Sequence, residues 1–183
     1  PKCWNLDSWN AIFAKWIQDD PDKLLEFIRK LPAYAGTNAP NRINWNDTES
    51  NAGIMDLKRI CYLLMVCPKD AFIMMGSNLQ SQISGLLRST NAASLKPYIY
   101  MMIRVIIITF SEVHLSTFWP TVYTELEATF QKLLEKLLEL NFDDNVLGVE
   151  HEKLDLSAFD NNLILQACKL LDCLLILGPE EFQ

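Results

Sequence analysis

Tyr98-Ile-Tyr-Met-Met-Ile-Arg-Val-Ile-Ile-Ile-Thr-Phe110 is the stretch whose reading decides the fold. Its second half, Val105 to Phe110, is β-branched and apolar, the composition of a buried strand. Its length and its neighbours argue for helix instead. Pro97 suits a first helical turn, and no second strand-like run exists elsewhere to pair with it. We therefore read a buried central helix from Leu95 to Val113. The run is interrupted by Arg104 and falls short of the roughly 20 residues that cross a bilayer, so no segment is expected to span a membrane.

Outward from this helix, other apolar residues recur at helical spacing. Asp7 or Ser8 can cap a helix carrying Trp9, Ile12, Phe13, Trp16 and Ile17, stopped by Asp19-Asp20-Pro21. With Asp20 as cap and Pro21 in the first turn, Leu24, Leu25, Ile28 and Leu31 line a second helix up to Pro32. Residues 32–55 lose periodicity and gather Asn, which reads as an exposed Asn-rich loop. Asp56 then opens a helix through Leu57, Ile60, Cys61, Leu64 and Cys67, and another follows through Phe72, Met75, Leu79, Ile83 and Leu86. Beyond the central helix, Leu126, Phe130, Leu133, Leu137 and Leu140 form a stripe that Leu134 and Leu138 widen. Residues 142–156 read as an acidic linker before a last helix, apolar nearly all round, from Ser157 to Gly178-Pro179.

The fold class expected is all-α, an α-solenoid-like stack of helical hairpins of the armadillo or HEAT kind, with an irregular helical bundle as the alternative. The 183 residues suffice for a single all-helical domain, 1–183. The start at Pro1 without an initiator Met, and the end close behind an apolar helix, read as a fragment of a larger protein.

Sixteen Lys and Arg against 23 Asp and Glu give a formal charge of −7, which repels phosphate backbones, so nucleic acid is excluded as a general partner. Five Cys is an odd number at irregular positions, and Cys61, Cys67, Cys168 and Cys173 lie within apolar runs, which fits a reduced, cytoplasmic protein. The glycines are isolated, with no phosphate-binding loop. His151-Glu152-Lys153-Leu154-Asp155 fails as a zinc-protease helix because Asp stands where the second His is needed. Neither the Cys61 and Cys67 pair nor the Cys168 and Cys173 pair has structural-zinc spacing, and no nucleophile elbow is present. We expect no catalytic residues, no metal and no cofactor.

The candidate contacts are therefore for partners or lipid. Arg104 must find acceptors inside an apolar run, structurally an acid such as Glu112 or Glu125, functionally a partner or a lipid phosphate. Lys58 and Arg59, with Lys96 and neighbours, read either as a solvated face or as a basic patch for anionic lipid. Trp119 either seals the entry of the helix that follows or stands out as an interface anchor. The Leu126–Leu140 stripe covers only about two heptads, fewer than a free coiled coil needs, and reads as core packing, with dimerisation or a missing neighbour expected if it faces solvent.

His114-Leu-Ser-Thr-Phe-Trp-Pro-Thr-Val-Tyr-Thr-Glu-Leu126 resembles the "HLTSLWPTMITEL" stretch in the C-terminal region of the Dopey family, which also follows an apolar helix containing Arg, here Arg104. Ala167-Cys-Lys-Leu-Leu-Asp-Cys-Leu-Leu175, with the later Phe182-Gln183, resembles that family's "ACKFLDLLL" helix and the pair after it. Lys58-Arg59 fits its "LKRL" opening. The resemblance runs in order from about Leu57 to the end, and it brings His114 into the set of candidate contacts. It implies a non-catalytic scaffold, peripheral on Golgi and endosome membranes, acting in endosome-to-Golgi transport. The partners it implies are a large trafficking scaffold related to Arf exchange factors, a phospholipid flippase, phosphoinositide membranes and kinesin.

Overall fold

The computed structural model describes residues 6–35, 46–143 and 158–176. Among them the chain forms seven α-helices and three short 3-10 turns, with no strand. The helices are α1 (Leu6–Asp19), α2 (Asp22–Ala35), α3 (Asn46–Val66), α4 (Gly76–Arg88), α5 (Lys96–Thr109), α6 (Trp119–Asp143) and α7 (Ala158–Ile176). The 3-10 turns are Ile73–Met75, Thr90–Leu95 and Glu112–His114. The all-α expectation holds.

Packing follows a repeat. α3 lies against both α1 and α5, and α5 against α7, so the odd-numbered helices form one row. α2 packs across onto α3 and alongside α4, and α4 packs onto α5, which makes a second row. The pairs α1–α3, α2–α4, α3–α5 and α5–α7 thus join helices two places apart in the chain, the arrangement of stacked helical hairpins rather than of an irregular bundle.

α5 occupies the middle of the odd row and explains the strand-like composition of its sequence. Ile99, Tyr100, Met102, Ile103, Val105, Ile106 and Ile107 are all buried, because neighbours cover the helix on several sides. Each such side chain taken fully out of water contributes about 1.5–3 kcal/mol, which outweighs the smaller helix penalty of the β-branched residues. Phe110 leaves the helix in extended backbone, and the predicted continuation to Val113 is a separate 3-10 turn.

Four readings of the sequence differ from the structure. Pro32 lies inside α2, which runs on to Ala35; proline removes one backbone donor there, yet the turn continues. The expected Asn-rich loop of residues 32–55 is helical from Asn46 onward, and residues 36–45 lie outside the described residues. Asp56, read as a helix start, is in the interior of α3 and only 5% exposed, bonded to Arg59 at 2.8 Å. The expected linker of residues 142–156 has its first two residues in α6, and the remainder lies outside the described residues.

The two ends of the stack carry apolar side chains in the open. On α1 only Ile17 is buried, while Leu6, Trp9, Ile12 and Trp16 face solvent. On α7 Ala167, Leu170 and Leu174 are buried, but Leu165, Leu171, Leu175 and Ile176 are not. The N-terminal half of α6 is packed through Trp119, Val122 and Leu126, whereas Leu134 and Leu138 further along are exposed.

Candidate interaction surface

Tyr98, Met101, Arg104 and Ile108 recur along α5 at three- and four-residue steps, so they share its least covered line. The first three are half-buried and Ile108 is 58% exposed. α3 walls this line on one side. The Lys58 ammonium stands 5.1 Å from the centre of the Tyr98 ring, a cation–π contact. Cys61, one turn further along α3, is buried within the field of the Arg104 guanidinium. α7 walls the other side, where Cys173 feels the same guanidinium. Arg104 therefore lies on a half-buried line of α5 that α3 flanks on one side and α7 on the other, a shallow groove along α5.

The electrostatics of the groove follow from burial. Desolvation pushes the Cys61 thiol up to about 12, with Arg104 pulling weakly the other way. Desolvation also raises Cys173, again opposed by Arg104. Both stay neutral thiols. The acids expected to pair with Arg104 do not reach it. Glu125 is taken by Lys96 at 3.3 Å, and Glu112 is exposed in the 3-10 turn after α5. Among the described residues no carboxylate stands within ion-pair distance of Arg104.

The other candidate residues are placed as follows. Arg59 is bonded to Asp56 and lies 6.0 Å from the Phe27 ring centre, and Lys96 is held by Glu125. The basic patch that the sequence suggested is thus partly neutralised, leaving Lys58 at the groove. Trp119 is 5% exposed and serves to seal the entry of α6, so it is not an open anchor. His114 is exposed at the rim of a cleft of about 190 Å³ between α4 and the turn before α6, lined by Ile73, Leu79, Phe110 and Phe118.

Beside this cleft is a brace the sequence reading missed. Asp70 has the left-handed φ of 63°, which Asp tolerates better than most residues. Its backbone N–H donates to the Thr109 carbonyl at 2.9 Å, and the Ser111 N–H donates to its carboxylate at 2.6 Å. The Ser111 hydroxyl donates to the second carboxylate oxygen. These bonds hold the Asp70 carboxyl below its usual range, the hydroxyl bond contributing most. The brace fixes where α3 ends relative to where α5 ends. Its only sequence signal is a helix-stopping Pro68 followed two residues later by Asp.

Residues 2–183 match the family described as DOP1 C-terminal. The chain belongs to the DOP1 C-terminal family. Among DOP1 relatives, Protein DOP1 of Saccharomyces cerevisiae is 29% identical over 181 residues, covering 96% of this chain and 10% of the yeast protein. Protein dop1 of Emericella nidulans is 28% identical over 186 residues, covering 96% of the chain and 9% of the relative. Protein DOP1B of Xenopus laevis is 25% identical over 146 residues, 73% of the chain and 6% of the relative. The chain thus spans about a tenth of the length of the two fungal relatives. No solved structure matches it. The Dopey resemblance read from His114–Leu126 and Ala167–Leu175 agrees with this assignment.

Proposed function

We propose that this chain is a non-catalytic scaffold segment of a Dopey-like protein, binding other proteins of endosome-to-Golgi transport through its helical surfaces. The observation that carries the reading is the set of uncovered apolar side chains on α1, on α7 and along the α5 groove. Large apolar side chains exposed together along one helix of a folded domain point to association sites. The family assignment supports the setting: Dopey proteins work at Golgi and endosome membranes, and a chain spanning a tenth of its relatives is one segment of such a protein. The proposed partner is a large scaffold related to Arf exchange factors. A peripheral position on the membrane is compatible with the described residues, none of whose helices is long and apolar enough to cross a bilayer.

The test is deletion of residues 6–176 from the intact protein in cells, followed by pull-down of the large scaffold and imaging of sorted cargo. Loss of the scaffold and mis-sorted cargo support the proposal. An unchanged partner set with normal sorting rejects it. The alternative, direct binding of anionic lipid, is weakened by the pairing of Arg59 with Asp56 and of Lys96 with Glu125. Flotation of the intact protein on liposomes with and without phosphatidylinositol 4-phosphate decides between the two. Equal recovery removes the lipid reading.

A further inference from the structure

A guanidinium in an apolar wall, with thiols as its near neighbours and no acid, is a charge short of its counterpart. Among the described residues Arg104 is in that position, half-buried on α5 where α3 and α7 pack against it, with the Cys61 and Cys173 thiols within reach of its charge. Both acids that the sequence reading offered are accounted for: Glu125 is bonded to Lys96, and Glu112 points into solvent. Around Arg104 the groove is apolar. Met101 precedes it, the exposed Ile108 follows one turn on, and Met65 is exposed one turn beyond Cys61 on α3. At the far end Lys58 rests on Tyr98.

We infer that this groove is a docking site for a helix of a partner protein that carries an Asp or Glu between apolar residues at helical spacing. The carboxylate of that helix forms the ion pair Arg104 lacks, and its apolar neighbours cover Met101, Ile108 and Met65. The line from Tyr98 to Ile108 is about 15 Å long, which accommodates anchors at i, i+4 and i+7 of a docked helix. Charge complementarity decides the chemistry of the occupant. A lipid headgroup is a poorer match, because polybasic lipid sites gather about four to eight cations, whereas Arg59 and Lys96 here already have carboxylates. A second copy of the chain is disfavoured by the formal charge of −7, which repels like copies.

The inference rests on the scaffold reading and names the partner class of one of its surfaces. The experiment places the photo-cross-linking residue p-benzoylphenylalanine at Ile108 in the intact protein in cells and identifies the captured peptide by mass spectrometry. The expected product is a peptide from another protein, with a carboxylate flanked by apolar residues at three- or four-residue spacing. Arg104→Glu is expected to cut its yield by about thirtyfold or more, the effect of reversing one member of a desolvated charge pair, with Arg104→Lys largely retaining it. Converting the captured carboxylate to Lys restores the cross-link to the Arg104→Glu protein. A cross-link to a second copy, to lipid or to a peptide without an acid overturns the inference, as does a yield indifferent to Arg104→Glu. No cross-link at all, with the large scaffold still retained in pull-down, also overturns it while leaving the scaffold reading standing. An unchanged thermal unfolding midpoint for Arg104→Glu excludes misfolding as the cause of a lost cross-link.

Discussion

At the scale of the residue, burial sets chemistry that the residue type alone does not. Cys61 and Cys168 are both free thiols within helices, but Cys61 is buried with its pKa pushed up to about 12, while Cys168 is exposed. A thiolate is the reactive form, so in native protein at pH 8 a disulfide reagent is expected to modify Cys168 and leave Cys61 untouched until denaturant is added. Peptide mapping of the labelled thiols checks this, and early labelling of Cys61 contradicts the placement of α3. Asp70 gives a pH-dependent counterpart. Its carboxyl is held low by bonds from Ser111, so the stabilisation it provides is present above the ordinary carboxylate range and lost as pH falls through the depressed folded value. Ser111→Ala removes the largest of those bonds and is expected to lower the unfolding temperature at neutral pH, with the gap to the parent closing on acidification. A gap that stays constant between pH 7 and pH 2 sinks this account.

At the scale of the element, a helix contributes according to how many neighbours it touches. α5 meets α3, α4 and α7, and Ile103 at its centre is fully buried. Ile103→Ala is expected to cost about 2–5 kcal/mol, because removing a large side chain leaves a cavity that packed neighbours cannot close. α6 is two-sided along its length. Its first half is tied to α5 by Tyr100, whose hydroxyl donates to the Glu125 carbonyl at 3.1 Å and shares a 2.6 Å bond with Thr129. Its second half exposes Leu134, and Leu134→Ala is expected to change stability by no more than about 0.5 kcal/mol. Urea unfolding of the two variants side by side measures the contrast. Equal costs would mean that α6 is covered along its whole length.

At the scale of the whole molecule, a stack of hairpins has a middle and two ends, and stability grades between them. α5 has packed helices on both sides within its row, whereas α1 and α7 each have a described neighbour on one side only. Backbone amide exchange is expected to be slowest in α5, intermediate in α3, and fastest in α1 and the end of α7. Uniform protection across the helices would indicate a single cooperative bundle instead. The same gradation explains why uncovered apolar residues concentrate at α1 and α7: within their row each of these helices has a described neighbour on one side only.

Periodicity and composition alone determined that this chain is helical, where most of its helices lie, and that α5 is central, because an apolar run without a pairing strand has no other way to satisfy its backbone. The motifs of His114–Leu126 and Ala167–Leu175 likewise determined the family. Local spacing did not reveal that α2 runs past Pro32 to Ala35 or that α3 begins at Asn46, because the turn-forming preferences of Pro and Asn are weak local priors that a helix can override. Nor did it reveal which cations are free. Lys96 and Arg104 are eight residues apart on one helix, and only the arrival of α6 assigned Glu125 to the first and left the second without a carboxylate among the described residues. Charge pairing between helices depends on distances in space, and those were decided by the stacking of α5 against α3, α6 and α7.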